Sequence, residues 1–215
     1  MSDLSEIFET MERSELNIWV GGGNSAGIGR ASAAVIETLC MPTQDDVFLD
    51  FGCGIGRTTL GLLERFPAAT IHGTDIVPAL IDFCNAEIGS NFAGTHFVAT
   101  ERDHAHYDRF VNGDREPEKI VYDALASSID IAFAFSVFTH LYKDEALENL
   151  KLLRTTLKPD GVVLATFFIL DEMARTRLNN KETEFPFDCD IPEGAQQFSV
   201  DSTKHFEAFS PSLIS

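Results

Sequence analysis

Residues 46–57 read DVFLDFGCGIGR, and this stretch decides the fold. Its first part, Asp46–Asp50, is a short apolar run of the kind that forms a buried parallel strand. Three glycines follow at alternate positions, and Arg57–Phe66 then carries apolar residues at helical spacing until Pro67 ends the pattern. The stretch therefore predicts a strand, a tight glycine turn and a helix, in that order.

The alternation of strand and helix patterns continues towards the C-terminus. Further strands are predicted at Thr70–Asp75, Thr95–Thr100, Ile129–Phe138 and Val162–Leu170. Helices are predicted at Pro78–Gly89 and Lys143–Leu157, and a turn is predicted at Lys158–Gly161. The second helix is predicted to face inward with its leucines, which are Leu147, Leu150, Leu153 and Leu157. Strands separated by helices form right-handed βαβ units. The sequence therefore predicts an α/β fold with a doubly wound, mostly parallel sheet and helices on both faces.

The two flanks of this core are less regular. Residues 1–45 have a helical pattern that the Gly21–Gly23 loop interrupts, and they form one predicted segment before the α/β domain of residues 46–215. Residues 101–128 are polar and longer than most connections, which predicts a lid, a substrate loop or a disordered segment. Towards the C-terminus the pattern weakens to one further strand at Gln197–Val200, so the C-terminal strands of the sheet are predicted to be incomplete.

The composition argues against several classes of protein. The chain has 215 residues with 34 acidic and 16 basic side chains, and its net charge of −18 argues against a surface that follows nucleic-acid phosphates. No apolar run approaches the roughly 20 residues of a membrane helix, and the acidic N-terminus does not resemble a signal peptide. The four cysteines are widely spaced, without a Cys-x-x-Cys pair. This spacing predicts a reduced, cytoplasmic protein rather than a disulfide scaffold or a zinc ribbon.

Two glycine loops compete for the role of a cofactor loop. The first, Gly23–Gly29 (GNSAGIG), follows a plausible strand at Leu16–Val20 and resembles the cofactor loop of short-chain dehydrogenases. Asp50 lies near the expected position of a ribose-binding acid in that family. The resemblance also requires a Tyr-x-x-x-Lys pair for proton transfer, and no tyrosine of this chain has a lysine four positions later. A nicotinamide oxidoreductase is therefore the weaker alternative.

The second glycine loop, Asp50–Gly56 (DFGCGIG), resembles the first motif of class I S-adenosylmethionine-dependent methyltransferases. Three later segments resemble further motifs of that family in the same order: Thr74–Ile76, Ser136–Leu141 and Leu157–Gly161. The segment Ser136–Leu141 is similar to that of one small-molecule branch. Four motifs over about residues 46–170 are more specific than a single glycine loop, and together they imply a small-molecule methyltransferase with a Rossmann-like fold.

The resemblance implies S-adenosylmethionine as the cofactor, S-adenosylhomocysteine as its product, and a set of residues that bind them. These residues are Asp50, Gly52, Cys53, Gly54, Gly56, Asp75, Ile76, Glu101 and Ser136. The glycines allow the backbone to approach the ligand, and the following helix offers N–H groups to the methionyl carboxylate. Asp75 would accept hydrogen bonds from both ribose hydroxyls, and Asp50 would hold the ammonium group directly or through water.

The remaining cofactor contacts implied by the resemblance involve later residues. Ile76 and Ile55 would pack on either side of the adenine, and the Ser136 carbonyl would contact the methionyl part. Glu101 would face the adenine amino group, where the family usually has aspartate, and Asp103 is an equally close candidate.

Each of these positions also has a structural alternative. The glycines would serve a tight turn alone, Asp75 would cap the following helix, and Glu101 would be a solvated loop residue. Arg57 would either bind the cofactor carboxylate or face solvent. Cys53 is predicted to fit the loop as a small residue rather than to act as a nucleophile. Residues 103–108 include histidines and aspartates but lack metal-ligand spacing, so no metal site is predicted.

The implied reaction is methyl transfer to an unidentified small-molecule acceptor, for which the protein aligns the reactants and excludes water. His140 is the predicted general base for a hydroxyl or amine acceptor, with capping or packing at the helix from Lys143 as its structural alternative. Val20–Gly23 would approach the methionyl end as part of an N-terminal lid, or form a linker before a helix at Ser25–Leu39. A cofactor-binding domain without catalytic activity is the alternative function. The acidic surface and the lack of an Asn-Pro-Pro-Tyr motif disfavour DNA as the acceptor.

Overall fold

The computed structural model describes residues 4–101 and 113–183, together with the backbone at 189–190, 196–201 and 204–209. Tertiary contacts divide the chain into two compact units. The first comprises Met1–Ala134 and Lys151–Leu164, and the second comprises Phe135–Leu150 and Ala165–Ser215. None of the described helices combines the length and the hydropathy that a membrane span requires.

The described residues form eight α-helices and two short helical turns of other types. The α-helices are α1 (Leu4–Arg13), α2 (Leu16–Trp19), α3 (Ser25–Cys40), α4 (Arg57–Leu63), α5 (Pro78–Cys84), α6 (Glu118–Ala124), α7 (Lys143–Thr156) and α8 (Glu172–Asn179). A π-helical turn at Asn85–Gly89 continues α5, and Phe138–His140 form a 3₁₀ turn. Pro78 lies in the first turn of α5 and Gly89 ends its continuation, as the sequence predicts.

Ten strands lie in the described residues, and six of them form the sheet that positions the glycine loop. The strands are β1 (Val47–Phe51), β2 (Thr70–Asp75), β3 (Thr95–Glu101), β4 (Glu116–Pro117), β5 (Ile129–Ala134), β6 (Leu157–Ala165), β7 (Phe168–Ile169), β8 (Cys189–Asp190), β9 (Gln196–Asp201) and β10 (Lys204–Phe209). The larger sheet has the order β4-β3-β2-β1-β5-β6. Its pairs β1–β2, β2–β3, β3–β4 and β1–β5 are parallel. The chain winds from β1 to one edge and returns to the other side of β1, which confirms the predicted doubly wound, mostly parallel sheet.

Different helices cover the two faces of this sheet. Asp50 and Phe51 are consecutive in β1, so their side chains point to opposite faces. Thr59 of α4 donates a hydrogen bond to Asp50 Oδ2 at 2.7 Å, whereas the ring of Tyr122 in α6 lies 6.0 Å from the ring of Phe51. The helices α4 and α6 therefore lie on opposite faces, as the sequence predicts.

Several predicted boundaries are confirmed closely. The strand at Thr70–Asp75 has the predicted bounds, and the strand from Thr95 ends one residue later than predicted, at Glu101. The helix predicted at Ser25–Leu39 is α3, and the helix predicted from Arg57 is α4. The polar segment predicted at 101–128 contains β4 and α6, and its residues 102–112 lie outside the described residues.

The prediction of a strand over Ile129–Phe138 is wrong at its C-terminal end, because β5 ends at Ala134. Ser136 has a φ of +59°, in the left-handed region, and this conformation interrupts the extended backbone. The 3₁₀ turn Phe138–His140 follows directly. His140 therefore lies in a turn beyond the strand, as predicted, but Phe135–Phe138 are not part of the strand.

The predicted turn at Lys158–Gly161 is also wrong, since these residues belong to β6. Lys158 Nζ lies 2.8 and 2.7 Å from the two carboxylate oxygens of Asp130 in β5. A Cβ on Gly161 would lie 2.8 Å from the Ile129 carbonyl oxygen, so glycine permits β6 to approach β5 closely. The long strand predicted to follow this turn is split between β6 and β7.

The buried face of α7 is displaced from the predicted leucine stripe. Leu153 and the following Leu157 are buried as predicted, but Leu147 is 41% exposed. Asn149, one turn before Leu153, and Ala146, two turns before it, take the buried positions. The buried amide of Asn149 is satisfied because its Nδ2 donates to the Glu145 carbonyl at 2.8 Å.

The structure contradicts the strand that the oxidoreductase alternative requires. Leu16–Trp19 are helical, and Gly27 and Gly29 lie inside α3 rather than in a loop after a strand. A Cβ on Gly29 would overlap the Arg57 carbonyl oxygen, and a Cβ on Gly61 would overlap the carbonyl oxygen of Gly29. These two glycines permit close packing of α3 on α4.

The second unit has a sheet of its own, with the order β7-β10-β9-β8. The pairs β8–β9 and β9–β10 are antiparallel, and the pair β7–β10 is parallel. The weak strand predicted at Gln197–Val200 is confirmed as β9. Its antiparallel partner β10 was not predicted, and among the described residues these C-terminal strands belong to the smaller sheet and not to the larger one.

Candidate cofactor site

The glycine loop after β1 is attached to the end of β2 by its own backbone. Gly52, Gly54 and Gly56 have φ values of +73°, +57° and +80°, which only glycine adopts readily. The N–H groups of Gly52 and Cys53 both donate to the Thr74 carbonyl, at 2.8 and 3.0 Å. The loop is therefore a fixed turn between β1 and α4 whose glycine positions carry no side chains.

Asp75 joins the loop from the carboxyl end of β2. Its Oδ2 accepts a hydrogen bond from the Gly54 N–H at 2.9 Å, and its Oδ1 accepts one from the Val77 N–H at 3.0 Å. Burial raises the pKa of the Asp75 carboxyl, while hydrogen bonds from the backbone of Gly54, Val77 and Ile76 oppose the rise. A carboxylate has about four acceptor sites, so the group keeps some acceptor capacity beyond these bonds and can hold the loop and bind a ligand hydroxyl together.

The structure does not show the alternative role of Asp75, in which it caps the following helix. The N-cap residue of α5 is Val77, and no side chain caps that helix. The Asp75 contact with the Val77 N–H instead closes the turn between β2 and α5.

Asp50 lies beneath the glycine loop and is almost inaccessible to solvent, with 4% of the residue exposed. Its Oδ2 accepts the hydrogen bond from the Thr59 hydroxyl. Burial raises the pKa of Asp50 to about 7; the Thr59 hydrogen bond opposes this rise and the nearby charge of Asp75 adds to it. The carboxyl is therefore close to its titration point at neutral pH.

Cys53 and Cys84 are buried thiols beside the same loop. Their sulfur atoms lie 3.8 and 3.3 Å from the Gly54 carbonyl oxygen. The contact with Cys84, together with burial, raises the pKa of the Cys53 thiol well above its usual value. A thiol that stays protonated is a poor nucleophile, which agrees with a space-filling role for Cys53.

The residues predicted to meet the adenine lie at the ends of β2 and β3. These strands pair in parallel with Asp75 opposite Ala99, so Ile76 and Glu101 lie at the same edge of the sheet. Ile76 is half-buried and Glu101 is exposed. Ile55, the other predicted adenine contact, is buried, so Ile76 is the one of the pair with accessible surface.

Ser136 and His140 belong to the second unit. The Ser136 N–H donates to Thr166 Oγ1 at 2.7 Å, and its carbonyl accepts a hydrogen bond from Thr139 Oγ1 at 3.0 Å. His140 ends the 3₁₀ turn and is half-buried, and its N–H donates to the Val137 carbonyl at 3.0 Å. The turn therefore holds the exposed Ser136 in its left-handed conformation by two hydrogen bonds.

Sequence reasoning missed the actual partners of Arg57. Its Nη1 donates to the Gly22 carbonyl at 3.0 Å, and its Nη2 donates to the Val20 carbonyl. A Cβ on Gly54 would lie 2.9 Å from Val20 Cγ1, so the N-terminal segment also packs directly on the glycine loop. The triple glycine at 21–23, whose φ values are all positive, is a signal of a turn in this segment, but it does not identify Arg57 as the partner.

The residues that the sequence analysis considered and set aside as metal ligands cannot be placed in this site. Asp103 and the histidines at 104 and 106 lie outside the described residues. Among the residues that the structure does describe, no group of three or more histidine, cysteine, aspartate or glutamate side chains could hold a metal ion.

The described geometry suits a nucleoside cofactor. A loop of positive-φ glycines leaves its backbone without side chains, and an acid with spare acceptor capacity stands at the end of the neighbouring strand. Both features lie at the carboxyl ends of parallel strands beside β1, where the strand order reverses. Open α/β sheets bind their ligands at this point.

Comparison with known proteins finds a matching family model and a curated relative. Residues 49–163 match a family model described as a methyltransferase domain. The malonyl-[acyl-carrier protein] O-methyltransferase of Halalkalibacterium halodurans is 31% identical over 121 residues, which cover 56% of this chain and 38% of that protein. The chain thus spans well under half the length of this relative.

Solved structures are similar at lower sequence identity, and the first of them shares the fold. The PH0226 protein from Pyrococcus horikoshii OT3 superposes with a TM-score of 0.60 at 15% identity, covering 96% of this chain and 85% of that one. A phosphoethanolamine N-methyltransferase 2 from Haemonchus contortus, in complex with S-adenosyl-L-methionine, gives a TM-score of 0.49 at 18% identity over 82% of this chain and 40% of that one.

The family match covers more than half of the chain and includes most of β1, the glycine loop, Asp75 and the turn at Ser136–Leu141. The fold around these residues is the doubly wound sheet that the four motifs imply. The chain therefore belongs to the class I, S-adenosylmethionine-dependent methyltransferases.

Proposed function

We propose that this enzyme transfers the methyl group of S-adenosylmethionine to an oxygen atom of a small-molecule acceptor. The observation that carries the proposal is the hydrogen bond from the Gly54 N–H to Asp75, which makes the glycine loop and the predicted ribose-binding acid one unit. The similarity to a malonyl-[acyl-carrier protein] O-methyltransferase supports oxygen as the accepting atom.

The cofactor-binding residues have separate roles in this proposal. The loop Gly52–Gly56 offers its backbone to the methionyl part, and the Ser136 carbonyl contacts the same part. Asp75 accepts hydrogen bonds from the ribose hydroxyls, Ile76 packs on the adenine, and Glu101 accepts a hydrogen bond from the adenine amino group. The buried Asp50 acts on the ammonium group through water or directly, because its carboxyl lies beneath the loop.

The chemistry divides between the cofactor and the protein. When bound, S-adenosylmethionine supplies an activated methyl group on a sulfonium centre. The protein aligns the acceptor and excludes water, and His140 removes the proton of a hydroxyl acceptor. Residues 1–45 serve as the lid over the cofactor, because Val20 of this segment packs on Gly54.

The first test concerns Asp75. Asp75→Ala should weaken binding of S-adenosylhomocysteine by at least about tenfold, since one hydrogen bond to a charged group contributes roughly 1.5–3 kcal/mol. Isothermal titration calorimetry measures the effect, with Asp82→Ala as the control because Asp82 is an exposed acid on the neighbouring helix α5. An Asp75→Ala variant with the affinity of the wild type would remove Asp75 from the site.

The second test concerns His140 and separates catalysis from binding. With labelled S-adenosylmethionine and a panel of hydroxy and carboxylic acids, His140→Ala should lower turnover of a hydroxyl acceptor by about a hundredfold. Affinity for S-adenosylhomocysteine should remain that of the wild type. Equal turnover in the variant would return His140 to a structural role. A wild-type chain that binds the product but methylates no acceptor would indicate a binding domain without catalysis.

A further inference from the structure

The segment Asn17–Gly23, here called the N-terminal strap, comprises the end of α2 and the glycine turn that leads to α3, and one buried side chain closes this turn. Asn17 is 7% exposed, and its backbone carbonyl accepts the Gly22 N–H at 2.7 Å. Its Nδ2 donates to the Gly23 carbonyl at 3.1 Å, and its Oδ1 accepts the Ser25 hydroxyl at 3.1 Å. The strap is therefore a defined turn rather than an open linker.

Arg57 holds this strap against the cofactor loop. It is the first residue of α4 and directly follows Gly56, so its position is fixed by the loop itself. Its guanidinium donates to the strap carbonyls of Val20 and Gly22, and the Val20 side chain rests on Gly54. The same Gly54 donates its N–H to Asp75. A continuous chain of contacts thus runs from the strap through the loop to the predicted ribose-binding acid.

We infer that Arg57 is a positioning residue that couples cofactor binding to the order of the N-terminal strap. This inference rests on the proposed placement of the cofactor at the glycine loop. The Arg57 hydrogen bonds fix the position of the strap relative to the loop. The loop is therefore already positioned when the cofactor binds to it. Coupling between two sites is reciprocal, so a bound cofactor must stabilise the strap by the same factor by which the strap favours the cofactor.

The contacts explain why this position carries arginine. A guanidinium presents a planar fork of donors and reaches two carbonyls at once, whereas a lysine ammonium is a single point charge on a flexible stem. Nη1 and Nη2 are both engaged by the strap. Arg57 therefore acts on the cofactor through the strap and loop, and not by either of the two roles that the sequence leaves open, a direct carboxylate contact or a solvent-facing position.

The chain contains its own reporter of the strap. Trp19 is the one tryptophan of the sequence, and it lies inside the strap, next to Val20, with 47% of its surface exposed. Its fluorescence depends on local solvent exposure. A change in strap order is therefore visible without labelling and without measuring catalysis.

The experiment titrates the full chain with S-adenosylhomocysteine and follows heat and Trp19 emission together. The wild type should show an emission change that follows the binding heat. Arg57→Met should bind about tenfold more weakly, as expected for loss of a charge-assisted contact, and should lose the emission change. Arg57→Lys should fall between the two and keeps the test available if Arg57→Met does not fold. Arg30→Met is the matched control. It also removes two arginine hydrogen bonds, which at 2.7 Å connect α3 to Glu64 at the C-terminal end of α4.

The outcomes separate this inference from the proposed function. The coupling would be overturned, with the cofactor site left intact, if both Arg57 variants bound with the affinity of the wild type. It would also be overturned if Trp19 emission did not change when the ligand bound. Absence of binding heat in the wild type would reject the cofactor placement and the coupling with it. Equal weakening by Arg30→Met would also overturn the inference, because general loosening of the helices would then explain the effect.

Discussion

Asp50 combines a carboxyl group with an environment that disfavours its charge. Burial raises its pKa to about 7, from an ordinary value of 3.8. The folded chain therefore binds this proton more tightly than the unfolded chain does. Between about pH 4 and pH 7 the unfolded chain has already released the proton, so the free energy of unfolding falls as the pH rises through this window and levels off above it.

Asp50→Asn should remove this contribution to the pH dependence. The amide has a similar shape, and its oxygen can accept the Thr59 hydrogen bond, but it carries no charge at any pH. We expect the variant to gain about 1 kcal/mol or more in unfolding free energy above pH 7 and nothing near pH 4. Urea unfolding at several pH values measures the difference. Asp45→Asn, on the exposed surface before β1, should follow the wild type, and a constant difference across pH would contradict the prediction.

The positions of site residues were predictable where they follow from the order of the strands. Asp50 lies near the end of β1 and Asp75 ends the adjacent parallel strand β2, so the alternation of strands and helices placed both at one edge of the sheet. The role of Arg57 was not, because its partners lie 35 and 37 residues earlier and are backbone carbonyls, which leave no side-chain pattern. Only the packing of the N-terminal segment on the loop reveals that contact.

At the scale of the elements, the position of the loop depends on how closely α3 approaches α4. Gly29 and Gly61 face each other across this contact, where a Cβ on either would overlap a backbone carbonyl oxygen. Since α4 begins directly after the loop, any separation of the helices moves the loop as well. The packing of two helices is thereby linked to the geometry of the cofactor site.

Gly61→Ala should destabilise the protein by about 2 kcal/mol, because an overpacked contact against backbone cannot relax by a side-chain rotation. This loss opposes the gain of up to about 1 kcal/mol that alanine brings to a helix interior. Thermal or urea unfolding measures it. Ala31→Gly on the exposed surface of α3 is the control for helix propensity and should cost about 1 kcal/mol. A Gly61→Ala variant as stable as the wild type would show that the helices can separate freely.

The types of the core elements were predictable, whereas several of their end residues were not. Apolar runs and helical spacing identified the core strands and helices, since these patterns depend on which side faces the core. The errors at Ser136 and at Lys158–Gly161 have tertiary causes: the hydrogen bond from Ser136 to Thr166 beyond the end of β5, and the pairing of β6 beside β5, where Lys158 also forms an ion pair with Asp130. The displaced face of α7 has the same kind of origin, because packing buries Ala146 and Asn149 in preference to Leu147.

At the scale of the whole molecule, the net charge is strongly negative, with 34 acidic and 16 basic side chains. The ion pairs among the described residues include Arg13–Glu9, Arg30–Glu64, Arg65–Glu37, Lys119–Asp123 and Lys158–Asp130. Each has at least one partly exposed partner, and such pairs contribute only about 0–1 kcal/mol. The unpaired excess of acids repels itself and favours the expanded chain. We therefore expect repulsion to outweigh the ion pairs.

Salt should then stabilise this protein. Raising sodium chloride from about 0.01 M to about 0.15 M shortens the Debye length from about 30 Å to about 8 Å, so repulsion between separated acids is screened while close pairs lose less. The thermal unfolding midpoint at pH 7 should rise over this range. Potassium chloride at the same ionic strength is the control and should give the same rise, because screening does not depend on the identity of the cation. A midpoint that falls with salt would contradict the prediction, since it would mean that the surface ion pairs stabilise the fold more than the excess acids destabilise it.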